Sequence, residues 1–101
     1  EGAEAAIEHF NELVKAKSAY LGEWEVNQIG YFFLSAGHKE EALRVMGYNA
    51  KQHPNSANAF DSLAEVYYQN GQEAKARECY QRSLEINPDN ANAREMLSKL
   101  K

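Results

Sequence analysis

Apolar side chains recur along this chain at three- and four-residue intervals. Val26, Ile29 and Phe33 form one such set, Phe60, Leu63 and Tyr67 a second, and Ala76, Tyr80, Ser83 and Leu84 a third. That spacing lines up side chains on one face of an α-helix and leaves the polar residues between them on the other. The interruptions are as regular as the faces. Gly37 and Gly71 can take the left-handed conformation that ends a helix, and each is followed at once by a polar, charge-rich helix start. Pro54 and Pro88 disfavour helical backbone at His53 and Asn87, after which Asn55-Ser56 and Asp89-Asn90 offer side-chain oxygens to cap the next helix. The pattern predicts an all-α chain with helices at about 3–17, 23–36, 39–53, 57–70, 73–86 and 91–100, joined by short turns.

These marks repeat at a fixed interval. Gly37 and Gly71, Ala42 and Ala76, and Pro54 and Pro88 are each 34 residues apart, and PNSANA at 54–59 returns as PDNANA at 88–93. A fixed period of that length is the signature of stacked helix pairs. On these residues, 23–56 and 57–90 resemble two tetratricopeptide repeats. The second carries the full pattern in Phe60, Leu63-Ala64, Tyr67, Ala76, Tyr80, Ser83 and Pro88. The first is looser, with Val26, Ile29-Gly30, Phe33, Ala42, Met46 and Pro54, and has Asn49 where a small residue is usual.

The resemblance implies one domain over 1–101, a right-handed superhelix of antiparallel helix pairs. Gly30, Ala42, Ala64 and Ala76 would let the helices of a pair approach, and Phe33, Met46, Tyr67 and Tyr80 would fill the space between them. Residues 3–17, with Ala6, Phe10 and Leu13, resemble the second helix of a preceding repeat. Residues 91–100 resemble the first helix of a following one and would serve as a cap. The function implied is a binding module for a protein or peptide. A second likeness concerns context: 27–45, 54–72 and 83–93 resemble the helical C-terminal extension of some bacterial serine β-lactamase-like hydrolases. That likeness implies an excised tail, consistent with a start at Glu1 half-way through a repeat, and a catalytic serine outside this chain.

Composition narrows the function classes. A net charge of −4 with acidic and basic residues interleaved repels phosphate backbones and anionic membranes, so neither nucleic acid nor a membrane is expected as a partner. Apolar runs fall far short of the roughly 20 residues of a membrane span. Cys79 is the one cysteine and forms no internal disulfide, which leaves the compartment open. His9, His38 and His53 sit on different elements without the i, i+4 partners of a helical metal site. Cys79 lacks an adjacent base, and Ser62, between Asp61 and Leu63, lacks the Gly-x-Ser-x-Gly turn of a nucleophile elbow. No cofactor or metal is expected, and the chain is not expected to be an enzyme by itself.

Binding surfaces are the better prospect. In a stack of helix pairs, the first helices line a concave groove. A helical wheel places Asn27, Tyr31 and Leu34 there from one helix, Asp61, Glu65 and Tyr68 from the next, and Asn92 and Glu95 from the cap. The family's best-known ligand mode captures a chaperone's terminal carboxylates with Lys and Arg on this groove. Here Asn27, Asp61 and Glu65 stand in those places, which argues against such a tail. Asp61 and Glu65 are like charges one helical turn apart, a pair that favours a cation between them. The alternative is a structural or regulatory appendage that docks on an attached hydrolase domain or on a second copy. Its surface would be the apolar patch of Phe10, Tyr20, Leu21 and Trp24.

Overall fold

The computed structural model describes residues 22–100, with Glu8 as a single further position. The helix expected over 3–17, Glu8 apart, and the patch residues Phe10, Tyr20 and Leu21 lie outside the described residues. Five helices follow one another: α1 Glu23–Ser35, α2 Lys39–Gln52, α3 Ala57–Gln69, α4 Glu73–Ile86 and α5 Ala91–Lys99. Each end falls within one residue of its expected position. No strand occurs among the described residues. The architecture is all-α, a right-handed superhelix of antiparallel helix pairs. Among the described residues no helix is long and apolar enough to cross a membrane.

The turn inside each pair is built the same way twice. Gly37 and Gly71 have φ of 84° and 80°, the left-handed region that a Cβ makes costly. Gly37 N–H donates to the Leu34 carbonyl at 3.1 Å and His38 N–H to the Phe33 carbonyl at 2.8 Å. Gly71 and Gln72 repeat both bonds to Tyr68 and Tyr67 at 3.1 and 2.9 Å. This double closure satisfies carbonyls that a helix end otherwise leaves open, and it turns the chain back on itself.

The joints between pairs are also copies. Ser56 and Asn90 accept from the backbone N–H of Ala59 and Ala93 at 3.1 and 3.2 Å, which caps α3 and α5. About two turns before each of these caps, a buried polar side chain holds the start of a first helix. Asn49 Nδ2 donates to the Glu23 carbonyl at 3.2 Å, and Ser83 Oγ donates to the Ala57 carbonyl at 2.8 Å. Asn49 and Ser83 are 34 residues apart, as are the carbonyls they reach. The atypical Asn49 therefore performs the tethering of its small counterpart, although its Oδ1 is buried without a partner among the described residues.

Packing follows from the alternation of small and large residues. Gly30 has no side chain because Met46 occupies the space: a Cβ there would lie 2.6 Å from the Met46 sulfur. Met46 is fully buried, and Tyr80, its counterpart 34 residues on, is 1% exposed beside Ala64 and Ala76 in the second core cluster. Burying side chains of this size contributes on the order of 1.5–3 kcal/mol each. Tyr67 and Cys79 pack against both core clusters and join them.

Two glycine substitutions separate turn chemistry from helix propensity. Gly71→Ala places a Cβ on left-handed backbone and is expected to lower stability by about 1 kcal/mol. Gly47→Ala, inside α2 with nothing within 4 Å of the new Cβ, is expected to raise it by about 0.5–1 kcal/mol. Urea denaturation of the two variants beside the parent checks both signs.

Candidate functional site

The first helices of successive pairs, α1, α3 and α5, are cross-linked along one face by hydrogen bonds between long polar side chains. From α1, the Tyr31 hydroxyl donates to Glu65 Oε1 at 2.9 Å and lies 3.4 Å from Ser62 Oγ on α3. From α5, Asn92 Nδ2 donates to both oxygens of Asp61 at 3.0 and 3.2 Å. Gln69, one turn along α3, donates to Glu65 Oε2 at 3.3 Å. Both carboxylates are half-buried. Every one of these donors is neutral. The ion pairs among the described residues are Arg82 with Glu85 and Lys99 with Glu95, neither of which reaches Asp61 or Glu65.

Burial acts first on the site's titrations. The Asp61 carboxyl is held above its ordinary value of 3.8 by loss of water, with the Glu65 charge adding and the amide donor of Asn92 opposing. The Tyr31 phenol is pushed up to about 12, chiefly by burial, although its hydrogen bond with Ser62 pulls the other way; Glu65 and Asp61 add to the rise. Cys79 stands apart: burial lifts its thiol to about 11, which leaves it protonated and unreactive at neutral pH.

Of the residues expected on this face, Tyr31, Asp61 and Glu65 are half-buried, while Tyr68, Asn92 and Glu95 are exposed. Asn27 and Leu34 depart from the expectation, being only 7% and 9% exposed. The wheel judged exposure against the partner helix alone. In the fold α1 also lies against α3, and Leu34 joins the main core cluster with Phe33, Leu63 and Val66. Asn27 is buried with its Oδ1 unpaired among the described residues. Trp24, the described member of the apolar patch, is 66% exposed, and Phe32, two turns along α1, is 59% exposed.

A cavity of about 230 Å³ opens beside the carboxylates, lined by Glu65, Tyr68, Gln69, Tyr80, Asn92 and Met96. Gln69, Tyr80 and Met96 were not expected here. The sequence assigns Tyr80 to the core, and its ring is there. The readable signal was the hydroxyl, since Met46 fills the equivalent place in the preceding repeat without a polar atom. Among the described residues, no group of His, Cys, Asp and Glu is arranged to hold a metal ion.

Short repeated helix pairs with a polar face shared by their first helices define a helical-repeat interaction scaffold. More narrowly, the chain belongs to the tetratricopeptide repeat family, which residues 30–89 match. As a member of that family it is a protein–protein interaction scaffold and not by itself an enzyme. Superkiller complex protein 3 of Mus musculus is 26% identical over 89 residues, 88% of this chain and 6% of that protein. The chain thus spans a small fraction of the curated relative it matches. Two solved structures of MamA superpose with TM-scores of 0.77 and 0.76 at 18% identity, covering 97% and 98% of this chain and 56% and 53% of theirs. At that identity they establish the fold alone.

The raised Tyr31 value has a measurable consequence. The folded chain keeps the phenol protonated between its ordinary 10 and about 12. The stability linked to this is complete below pH 10 and is lost as pH rises through about 12. Tyrosinate absorbance during an alkaline titration should show a late-titrating phenol that Tyr31→Phe removes. The same variant should lose about 1 kcal/mol of stability at neutral pH with the bond to Glu65.

Proposed function

We propose that the concave face carrying Tyr31, Asp61, Glu65 and Tyr68 binds a protein segment of basic or neutral character and turns away acidic tails. One observation carries this reading: Asp61 and Glu65, half-buried and one helical turn apart, are satisfied only by neutral donors among the described residues. Their hydrogen-bonding needs are met and their charges are not. A cation entering the face gains the attraction of both carboxylates in a setting less screened than open water. The exposed Tyr68 ring offers contact area at small entropic cost beside them. An acidic tail meets the same field with the opposite sign. Residues flanking the carboxylates, Asn27 and Leu34 on α1 and Asn92 and Glu95 on α5, then shape the face or its rim without supplying its charge.

Peptide arrays of basic, neutral and acidic sequences test the preference directly. Replacing Asp61 and Glu65 together by Asn and Gln is expected to weaken a basic peptide by about 1–3 kcal/mol, with the loss shrinking as salt rises. Folding should be unchanged or slightly firmer as the like-charge repulsion is relieved. Preference for acidic peptides, or equal binding by the double variant at low salt, would overturn the assignment. Because Asp61 protonates more readily than an ordinary aspartate, affinity for a basic peptide should also fall as pH drops into the window just above 3.8.

A second reading takes the apolar edge of α1 as a docking surface for an attached hydrolase domain or a second copy. It rests on the exposure of Trp24 and Phe32. Trp24→Ser separates the two, because it should change the mass seen by light scattering without altering peptide binding at the acidic face.

A further inference from the structure

Tyr80 is an unusual residue to find at the floor of the cavity between α3, α4 and α5. It is 1% exposed, yet its hydroxyl makes no hydrogen bond to any described residue. The cavity it lines also presents Glu65, Asn92, Tyr68 and Met96. The phenol lies in the field of Asp61 and Glu65, and their charges add to burial in holding its proton. With no protein partner, the hydroxyl oxygen of this cavity-lining residue is free to accept a hydrogen bond from a donor that enters.

The geometry points to a subsite for one unmodified lysine side chain of the bound segment, its ammonium accepted by Glu65, the Tyr80 hydroxyl oxygen and the Asn92 side-chain carbonyl. The assignment rests on the basic-segment reading of the same face and narrows it to one residue type. Three features select lysine. First, an ammonium carries three donors and no acceptor, and the cavity offers three acceptors on three helices. Asn92 already gives its Nδ2 to Asp61, which leaves its Oδ1 to accept and brings the charge of Asp61 to bear through the amide. Second, both oxygens of Glu65 are engaged, by Tyr31 and Gln69, so the paired edge that a guanidinium fork needs is taken. A single ammonium uses the remaining lone pairs one at a time. Third, the Met96 thioether and the Tyr68 ring give the four-carbon stem an apolar wall. The volume of about 230 Å³ suits a side chain and falls short of the roughly 300–1,000 Å³ of sites that enclose a free small molecule. One open ring face is too few for the aromatic cage that a trimethylated lysine requires.

The test uses the full chain and four small probes: the N-acetyl amides of lysine, arginine, ε-acetyl-lysine and norleucine, each titrated by NMR. The lysine probe should shift the backbone resonances of Glu65, Tyr68 and Asn92 and the Met96 methyl. Arginine should bind at least about 5-fold more weakly, and the two uncharged probes should leave those signals in place. Tyr80→Phe, which keeps the ring in the core, should weaken lysine about 3- to 10-fold and leave arginine unchanged, the loss expected of one bond to a charged group. Tyr68→Ala, on an exposed side chain that the core does not need, should weaken lysine several-fold and guards against a folding defect in the first variant. Equal binding of lysine and arginine, shifts elsewhere on the surface, or indifference to both substitutions would overturn the subsite. If basic peptides nonetheless bind in a manner sensitive to Asp61 and Glu65, the basic-segment reading survives alone. If they do not bind either, both fall.

Discussion

Met46 lies where a side chain on Gly30 would be, with its sulfur 2.6 Å from the position a Cβ would occupy. That close approach fixes how far α1 stands from α2, and everything laid on the pair inherits the distance. The second pair solves the same problem with Ala64 and Tyr80, a slightly larger small residue and a longer large one. Filling the gap with a phenol instead of a thioether carries a hydroxyl through to the far side of the core. There it meets the cavity beside Glu65. One residue thus serves the packing rule and lines the cavity, and the core position cannot change size without moving a polar atom of the proposed site.

Because each pair is closed by the same turn and each joint by the same cap, successive first helices come to rest in a constant register. Tyr31 meets Glu65 and Asn92 meets Asp61 across equivalent interfaces. These rungs are polar and neutral on one side, acidic on the other. They order the carboxylates without discharging them, a different outcome from the ion pairs of Glu85 and Glu95, which lie on the surface and face cations of their own. Surface pairs of that kind contribute little to stability.

Much of this was legible in the sequence, for reasons that are local. A glycine that must take positive φ, a proline that ends a helix and a Ser or Asn that caps the next act over four or five residues, so the turn at Gly37 and the caps at Ser56 and Asn90 could be placed from spacing alone. The paired carboxylates were legible too, since i and i+4 on one helix share a face whatever surrounds them. What failed was exposure. Asn27 and Leu34 share the stripe of Tyr31, and a single-helix projection has no knowledge of the neighbour that closes over them. The role of Asn49 was equally hidden. Its bond to the Glu23 carbonyl spans 26 residues and appears only when the pairs are stacked. The Tyr80 hydroxyl was overlooked because the ring explained the residue well enough.

The two core clusters meet at Tyr67 and Cys79, which are half-buried side chains touching both. They sit on α3 and α4, inside the second pair, and carry the core of the first pair into that of the second. The two repeats therefore share side chains, and neither core can be opened alone at this seam. Tyr67 sits on α3 directly before Tyr68, at the edge of the acidic face. A change of size at Tyr67 would therefore be felt in both cores at once and would reach that face through its neighbour in the chain.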